Sequence, residues 1–292
     1  MQTAPAKLNL GLRIVGRRPD GYHFLESLFW PISFSDEITI KKSEKPCVSC
    51  AWSPEAPFKS VSLLQNEKNL VGRLVLGGLG WKPKDGLSVH IEKKIPIGSG
   101  LGGFSSNVGT VLRYLFEQKE ITREEAEEMA VRLGADVPFF LNPAASWVTG
   151  IGEIRKPVPI SAELKNQLFF LLVLFPFASS TPELFKKFRE EDLPFSPSTP
   201  LDINANWDLD ALNQFLKSAK NDLESLVSTE SHPIASALEL LRLSKPLYSA
   251  LSGTGSTCFG IYLNKSQRLE ASKELQKLCR DLHCRIVFAE TY

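Results

Sequence analysis

Pro96-Ile97-Gly98-Ser99-Gly100-Leu101-Gly102-Gly103-Phe104-Ser105-Ser106 sets four glycines within six positions, between a strand pattern and a helix pattern. Before it, Leu87, Val89 and Ile91 alternate with Ser88, His90 and Glu92, the period of a half-buried strand over residues 87–95. After it, Val108, Val111, Leu112, Leu115 and Phe116 fall on one face at helical spacing, with Ser105 or Ser106 as the natural N-cap. A loop this poor in Cβ atoms lets backbone N–H groups turn inward on a polyanion, and the helix that follows adds its unpaired amides and the positive end of its dipole. Serine hydroxyls complete a shell around phosphate oxygens or a bound Mg²⁺, with Ser106 as the candidate metal contact. The loop lacks the lysine of a Walker A sequence, which leads away from the P-loop NTPases. A solitary glycine-rich turn is as often empty as not. Here the strand, the helix and the paired serines favour a nucleotide phosphate site.

Outward from the loop, the first quarter of the chain reads as strands over residues 6–15, 25–34 and 37–42, the first two joined by the turn Arg18-Pro19-Asp20-Gly21. A second helix is expected from Thr122, with Glu125 three residues on as a capping box and Gly134 as the stop. The glycines and prolines between Thr149 and Pro159 place a boundary near residue 156, giving domains 1–155 and 156–292. Beyond it a buried strand is expected within Leu168–Ala178, a loop over Leu193–Pro200 and helices over residues 208–218 and 232–243. The chain closes as strand 257–263, helix 266–282 and strand 285–289. The class is α+β, and 292 residues suit two domains better than one.

The 34 basic and 33 acidic side chains balance to +1, so no global field attracts nucleic acid or anionic lipid, and the ligand is recognised locally. Met1–Pro5 does not read as a secretory start, which implies a cytoplasmic protein. The longest apolar run, Leu168–Ala178, is far short of the ~20 residues that cross a bilayer. Five cysteines are an odd number with no framework spacing, and the expectation is reduced thiols throughout. Cys47 and Cys50 form a lone CxxC in a strand-like setting, with no second pair to complete a zinc site.

The string IPIGSGLGGFSSN over residues 95–107 resembles the second motif of the GHMP kinases. APAKLNLGLRIVGRRPDGYHFLES over 4–27, LGADVPFFL over 133–141 and LSGTGSTCFGIY over 251–262 follow the family order across nearly the whole chain. The resemblance implies a ribosomal protein S5 domain 2-like N-terminal domain that binds ATP and a ferredoxin-like C-terminal domain. It also implies transfer of the γ-phosphate of ATP, with Mg²⁺, to the 2-hydroxyl of 4-diphosphocytidyl-2-C-methyl-D-erythritol in the non-mevalonate isoprenoid pathway. The partner is then a small cytidine-diphosphate substrate, with neither nucleic acid nor membrane, and the protein is a monomer or homodimer. Two alternatives stay open. One is another GHMP activity of homoserine or mevalonate type, against which GRRPDGYH over residues 16–23 argues. The other is a weakly catalytic ligand-binding relative.

Phosphoryl transfer needs a positioned alcohol, a cation for the moving phosphoryl group and a carboxylate for the hydroxyl proton. The resemblance assigns the cation to Lys7 and the carboxylate to Asp136. By residue type alone, Lys7 is a solvent-facing strand lysine and Asp136 a helix-flanking carboxylate before Pro138. Asn9 shares the strand face of Lys7 and is a substrate hydrogen-bonding group. Tyr22 and His23 follow the turn to which the resemblance gives cytosine recognition, and Phe185 closes the opposite side of the base. Gly253 and Gly255 match the third family motif, on the substrate side, and Asn221, Asp222 and Glu224 form an accompanying NDLE string with a weak structural or substrate-adjacent role. The chain departs from the family at Phe104, usually glycine, and Asn107, usually aspartate. The Phe104 ring either turns into the core or narrows the cradle, and the lost carboxylate at 107 bears on nucleotide and metal affinity.

Overall fold

Two long strands open the chain, β1 (Gln2–Arg17) and β2 (His23–Lys42). They pair through the expected turn, where Arg18 N–H donates to Tyr22 O at 2.7 Å and Gly21 N–H to Arg18 O at 3.0 Å, with Gly21 at φ +97°. The two short strands expected within 25–42 are one. The computed structural model describes residues 1–59, 69–81, 86–199 and 201–292, so Pro200, the last residue of the expected loop, lies outside the described residues.

Packing divides the chain into two compact units, Met1–Ala6 with Phe34–Ile97 and Gly102–Pro143, and Lys7–Ser33 with Gly98–Leu101 and Ala144–Tyr292. Both units are discontinuous. The reason is length, since β1 and β2 each run far enough to contribute residues to both.

The first unit contains β3 (Cys47–Trp52), α1 (Leu70–Val75), β4 (Leu87–Lys93), α2 (Gly103–Glu117), α3 (Arg123–Leu133) and α4 (Val137–Leu141). β4 pairs antiparallel with the end of β2, Glu37 opposite Glu92, and parallel with β3, Val48 opposite Val89. The alternation in β4 buries Val89 and Ile91 against Val108, Val111, Leu112 and Leu115, the apolar face of α2. Thr122 and Glu125 form the expected capping box of α3. The N-cap of α2 is Gly102, in the left-handed conformation at φ +71° and with no side-chain cap, so the helix starts ahead of both serines. Cys50 is half-buried in β3, and burial pushes its thiol up to about 11.

The second unit contains β5 (Ser146–Thr149), β6 (Ile154–Pro157), α5 (Ala162–Gln167), β7 (Phe169–Leu174), α6 (Thr181–Glu190), α7 (Leu209–Leu216), α8 (Glu224–Glu230), α9 (His232–Leu243), β8 (Tyr248–Leu251), β9 (Cys258–Tyr262), α10 (Lys265–Asp281) and β10 (Arg285–Glu290). The start of β2 pairs β5, and β5 pairs β6. β7, β8, β9 and β10 form an antiparallel sheet in the order β10-β7-β9-β8, the fourth-first-third-second order of a ferredoxin-like fold. Leu171 and Val173 of β7 pack with Ile234, Leu238 and Leu241 of α9 and Ala271 and Leu275 of α10. The expectation of reduced thiols fails at one pair: Cys279 and Cys284 form a disulfide. The turn from α10 into β10 passes through His283 at φ +53° and brings their Cα atoms to 4.4 Å.

Candidate active site

In the second unit, Lys7 and Asn9 lie on one face of β1 and both are buried, at 4% and 1% exposure. The Lys7 ammonium donates to Asn9 Oδ1 at 2.5 Å and stands 4.7 Å from the centre of the Phe29 ring. Asn9 Nδ2 donates to Ser27 Oγ at 3.0 Å, and Ser27 donates to Gly11 O at 2.6 Å, so the amide oxygen is oriented toward the lysine. A lysine buried this deeply is not the solvent-facing residue its type suggests.

The glycine loop enters the same unit through Gly98–Leu101. Leu101 O accepts the Lys7 N–H at 3.1 Å, Gly98 O accepts Ser179 N–H at 3.0 Å, and Ser99 O accepts Thr257 N–H at 3.1 Å. Ser252 Oγ donates to Gly100 O at 3.1 Å. A Cβ on Gly100 would stand 2.1 Å from Ser252 O, so only glycine allows this approach. Gly253 and Gly255, at φ +58° and +82°, complete the facing turn, and a Cβ on Gly253 would lie 3.0 Å from Asn9 Oδ1. Gly98–Leu101, the third glycine motif, Lys7 and Asn9 therefore form one hydrogen-bonded cluster.

Asn221 holds that turn from behind, donating to Leu251 O at 2.9 Å and Gly253 O at 2.7 Å, while Glu224 accepts the Leu251 N–H at 2.9 Å. Asp222 accepts the Ile14 N–H at 2.8 Å and the Ser196 hydroxyl at 2.7 Å. The NDLE string thus fixes β1 and the third glycine turn together, a larger role than the string suggests. Ser27 and Ser252 stand inside the strings quoted over residues 4–27 and 251–262, but nothing in those strings marks them as the partners of Asn9 and Gly100.

At the start of β2, His23 is buried and its ring stacks on Phe185 of α6, centroids 5.2 Å apart at 21°, with Phe188 edge-on at 5.8 Å. Burial, then the charges of Arg17 and Arg189, hold its imidazole below the ordinary 6.5, so the ring is neutral at pH 7. Tyr22 is 60% exposed, with the Arg18 guanidinium 5.9 Å from its ring. The ring facing Phe185 is therefore His23. Thr181, at the start of α6, shares a hydrogen bond with Thr254 of the glycine turn at 2.9 Å.

In the first unit, Gly102–Ser106 form the N-cap and first turn of α2, whose leading N–H groups have no acceptor within the helix. Ser106 Oγ and, one turn on, Thr110 Oγ1 are buried with no hydrogen-bond partner among the described residues. Asp136 is the N-cap residue of α4, but its side chain makes no capping bond. Gly109 lets α4 approach α2 closely: a Cβ there would meet Phe140 Cβ at 2.5 Å. Pro96 and Ile97 also belong to this unit. No group of three or more His, Cys, Asp or Glu side chains arranged for a metal ion occurs among the described residues.

Residues 65–142 match the GHMP kinases N terminal domain and residues 205–281 the GHMP kinases C terminal domain. The 4-diphosphocytidyl-2-C-methyl-D-erythritol kinase of Desulfotalea psychrophila is 35% identical over 97% of this chain and 90% of its own length. The protein of the same name from Brucella melitensis is 35% identical over 93% and 89%. Among solved structures, a 4-(cytidine 5'-diphospho)-2C-methyl-D-erythritol kinase matches with a TM-score of 0.75 at 28% identity, covering 100% of this chain and 99% of that one. A homoserine kinase from Cytophaga hutchinsonii matches with a TM-score of 0.62 at 14% identity over 98% and 94%, a likeness of fold alone.

Proposed function

The chain belongs to the 4-diphosphocytidyl-2-C-methyl-D-erythritol kinases within the GHMP kinases, and we propose that Lys7 and Asp136 carry its chemistry on the nucleotide loop Pro96–Ser106. The enzyme phosphorylates the 2-hydroxyl of 4-diphosphocytidyl-2-C-methyl-D-erythritol, with ATP as the donor. The observation that carries the residue assignment is the buried Lys7 ammonium, aimed by Asn9 and tied through its own backbone N–H to Leu101 of the loop.

Asp136 accepts or orients the 2-hydroxyl proton, and the hydroxyl oxygen bonds to the γ-phosphorus as the bond to the bridging β–γ oxygen breaks, releasing ADP. Lys7 offsets the charge that spreads over the transferring phosphoryl oxygens. Asn9 orients Lys7 and offers the substrate a hydrogen bond. Gly98–Ser105 present backbone N–H groups to the phosphates, and Gly253 and Gly255 close the wall beside Lys7. His23 and Phe185 recognise the cytosine, the neutral imidazole offering one donor and one acceptor to its polar edge, with Tyr22 covering the base from the solvent side.

Mg²⁺ fits this donor set: magnesium keeps most of its waters and takes few protein oxygens beside substrate phosphates, and the orphaned Ser106 hydroxyl is such an oxygen. When bound, the ion neutralises charge on the β- and γ-phosphates.

ATP consumption measured with the cytidylated methylerythritol, homoserine and mevalonate side by side tests the substrate, and turnover of the first alone is expected. Asp136→Ala should lose about 100- to 10,000-fold in kcat, the usual worth of a positioned acid or base, with cytidine diphosphate binding intact. An active Asp136→Ala protein would end the mechanism. Tyr22→Ala should raise KM for the cytidylated alcohol and leave that for ATP in place; equal losses would remove the cytosine assignment.

A further inference from the structure

A carboxylate outside every glycine motif lies beneath the start of α2. Asp36 of β2, Lys93 at the end of β4 and Asn107 of α2 are all buried, at 0%, 1% and 0% exposure. Asp36 Oδ1 accepts the backbone N–H groups of Lys94 at 2.7 Å and Ile95 at 2.9 Å. Its Oδ2 accepts Asn107 Nδ2 at 2.8 Å and the Lys93 ammonium in a short ion pair. Lys93 also donates to Asn107 Oδ1 at 3.2 Å. One side chain thus holds the residues directly before Pro96 and the residue directly after Ser106, the two ends of the nucleotide loop.

The charges explain the arrangement. The Lys93 ammonium lies 3.0 Å from where a Cβ on Gly103 would stand and 5.1 Å from the centre of the Phe104 ring, so it sits at the positive end of α2. A lone buried cation there would be repelled by the helix and starved of solvent. Asp36 neutralises it and has its own oxygens satisfied by the four donors just named. An aspartate at 107 would set a second carboxylate at hydrogen-bond distance from the first, with one ammonium for both, an arrangement in which two carboxylates do not both ionise.

We propose that Asp36 and Lys93 are positioning residues for the nucleotide loop and that they fix residue 107 as an amide. The inference rests on Pro96–Ser106 being the ATP loop, so ATP binding by the wild-type protein is measured first by calorimetry; its absence would refute the loop and not the network. Asp36→Asn and Asn107→Asp should each raise KM for ATP about tenfold, the effect of unbalancing a buried pair, and leave KM for the cytidylated alcohol unchanged. The double variant Asp36→Asn/Asn107→Asp exchanges amide and carboxylate around the same Lys93, and its KM for ATP should return to within about threefold of wild type. The two KM values moving together, or a double variant whose loss is the product of the single losses, overturns the proposal. Where a single variant does not fold, the double variant decides: folded with KM for ATP restored supports the network, and unfolded or unrestored overturns it.

Discussion

A methyl group on Gly253 would stand 3.0 Å from Asn9 Oδ1 and 3.6 Å from the Lys7 ammonium, on a backbone at φ +58°. Gly253→Ala should cost about 1–2 kcal/mol for the left-handed conformation. The larger effect belongs to chemistry, since a displacement of about 1 Å at a reacting group can cost on the order of 100-fold in kcat. Steady-state kinetics at saturating ATP and alcohol, beside thermal melts, separate the two; a variant with lowered melting temperature and full kcat would detach Gly253 from the site. His23 supplies a pH test. Its folded-state pKa lies below the ordinary 6.5, so between the two values the unfolded chain binds more protons than the folded one. Stability therefore falls as pH drops below 6.5 and levels off beneath the lowered value. His23→Phe keeps a ring against Phe185 and removes the titration. Melting temperatures at pH 5 and pH 7 should converge relative to wild type, and an unchanged gap would assign the slope to other groups.

At the scale of elements, α2 joins the loop to α4, the helix that presents Asp136. Gly109→Ala would drive a Cβ to 2.5 Å from Phe140 Cβ. Overpacking of this kind costs about 1–3 kcal/mol, and the shift it forces on α4 should lower kcat as well. Thr122→Ala is the matched control. It removes the capping box of α3, costs about 1 kcal/mol and should leave kcat unchanged. Urea unfolding and turnover measured on both variants test the difference, and proportionate losses of stability and kcat in both would mean that α4 placement has no special bearing on catalysis. Phe104 belongs to the same element. Its half-buried ring lies 5.1 Å from the Lys93 ammonium.

At the scale of the molecule, one hydrophobic cluster among the described residues lies beneath the β4 sheet and another beneath the β7–β10 sheet. No helix among the described residues is long and apolar enough to cross a membrane. The Cys279–Cys284 disulfide closes a short turn in the second unit, leaving Cys47, Cys50 and Cys258 free. Thiol titration of the denatured, unreduced protein should therefore find three reactive groups. Replacing both bonded cysteines by alanine should cost about 2 kcal/mol, since so short a loop loses little entropy on closure, and should leave kcat intact. Five titratable thiols would show the bond unformed.

Sequence by itself determined the class, the four motifs and most element positions, because alternation, helical spacing, glycine turns and a capping box are local signals. β4, α3, α9 and β10 fall close to where periodicity puts them. It fell short where the deciding contact joins distant residues. The N-cap of α2 went to Gly102 because a left-handed glycine, not a serine hydroxyl, starts the turn. Asp36 lies 57 residues before Lys93 and 71 before Asn107, so nothing nearby marks it as their partner. The same holds for Ser252 against Gly100 and for Asn221 against Gly253. The motif glycines and Lys7 could be read one by one. Which neutral and charged groups satisfy one another behind them became visible only once the chain had folded, because a buried polar atom takes its partner from space and not from sequence.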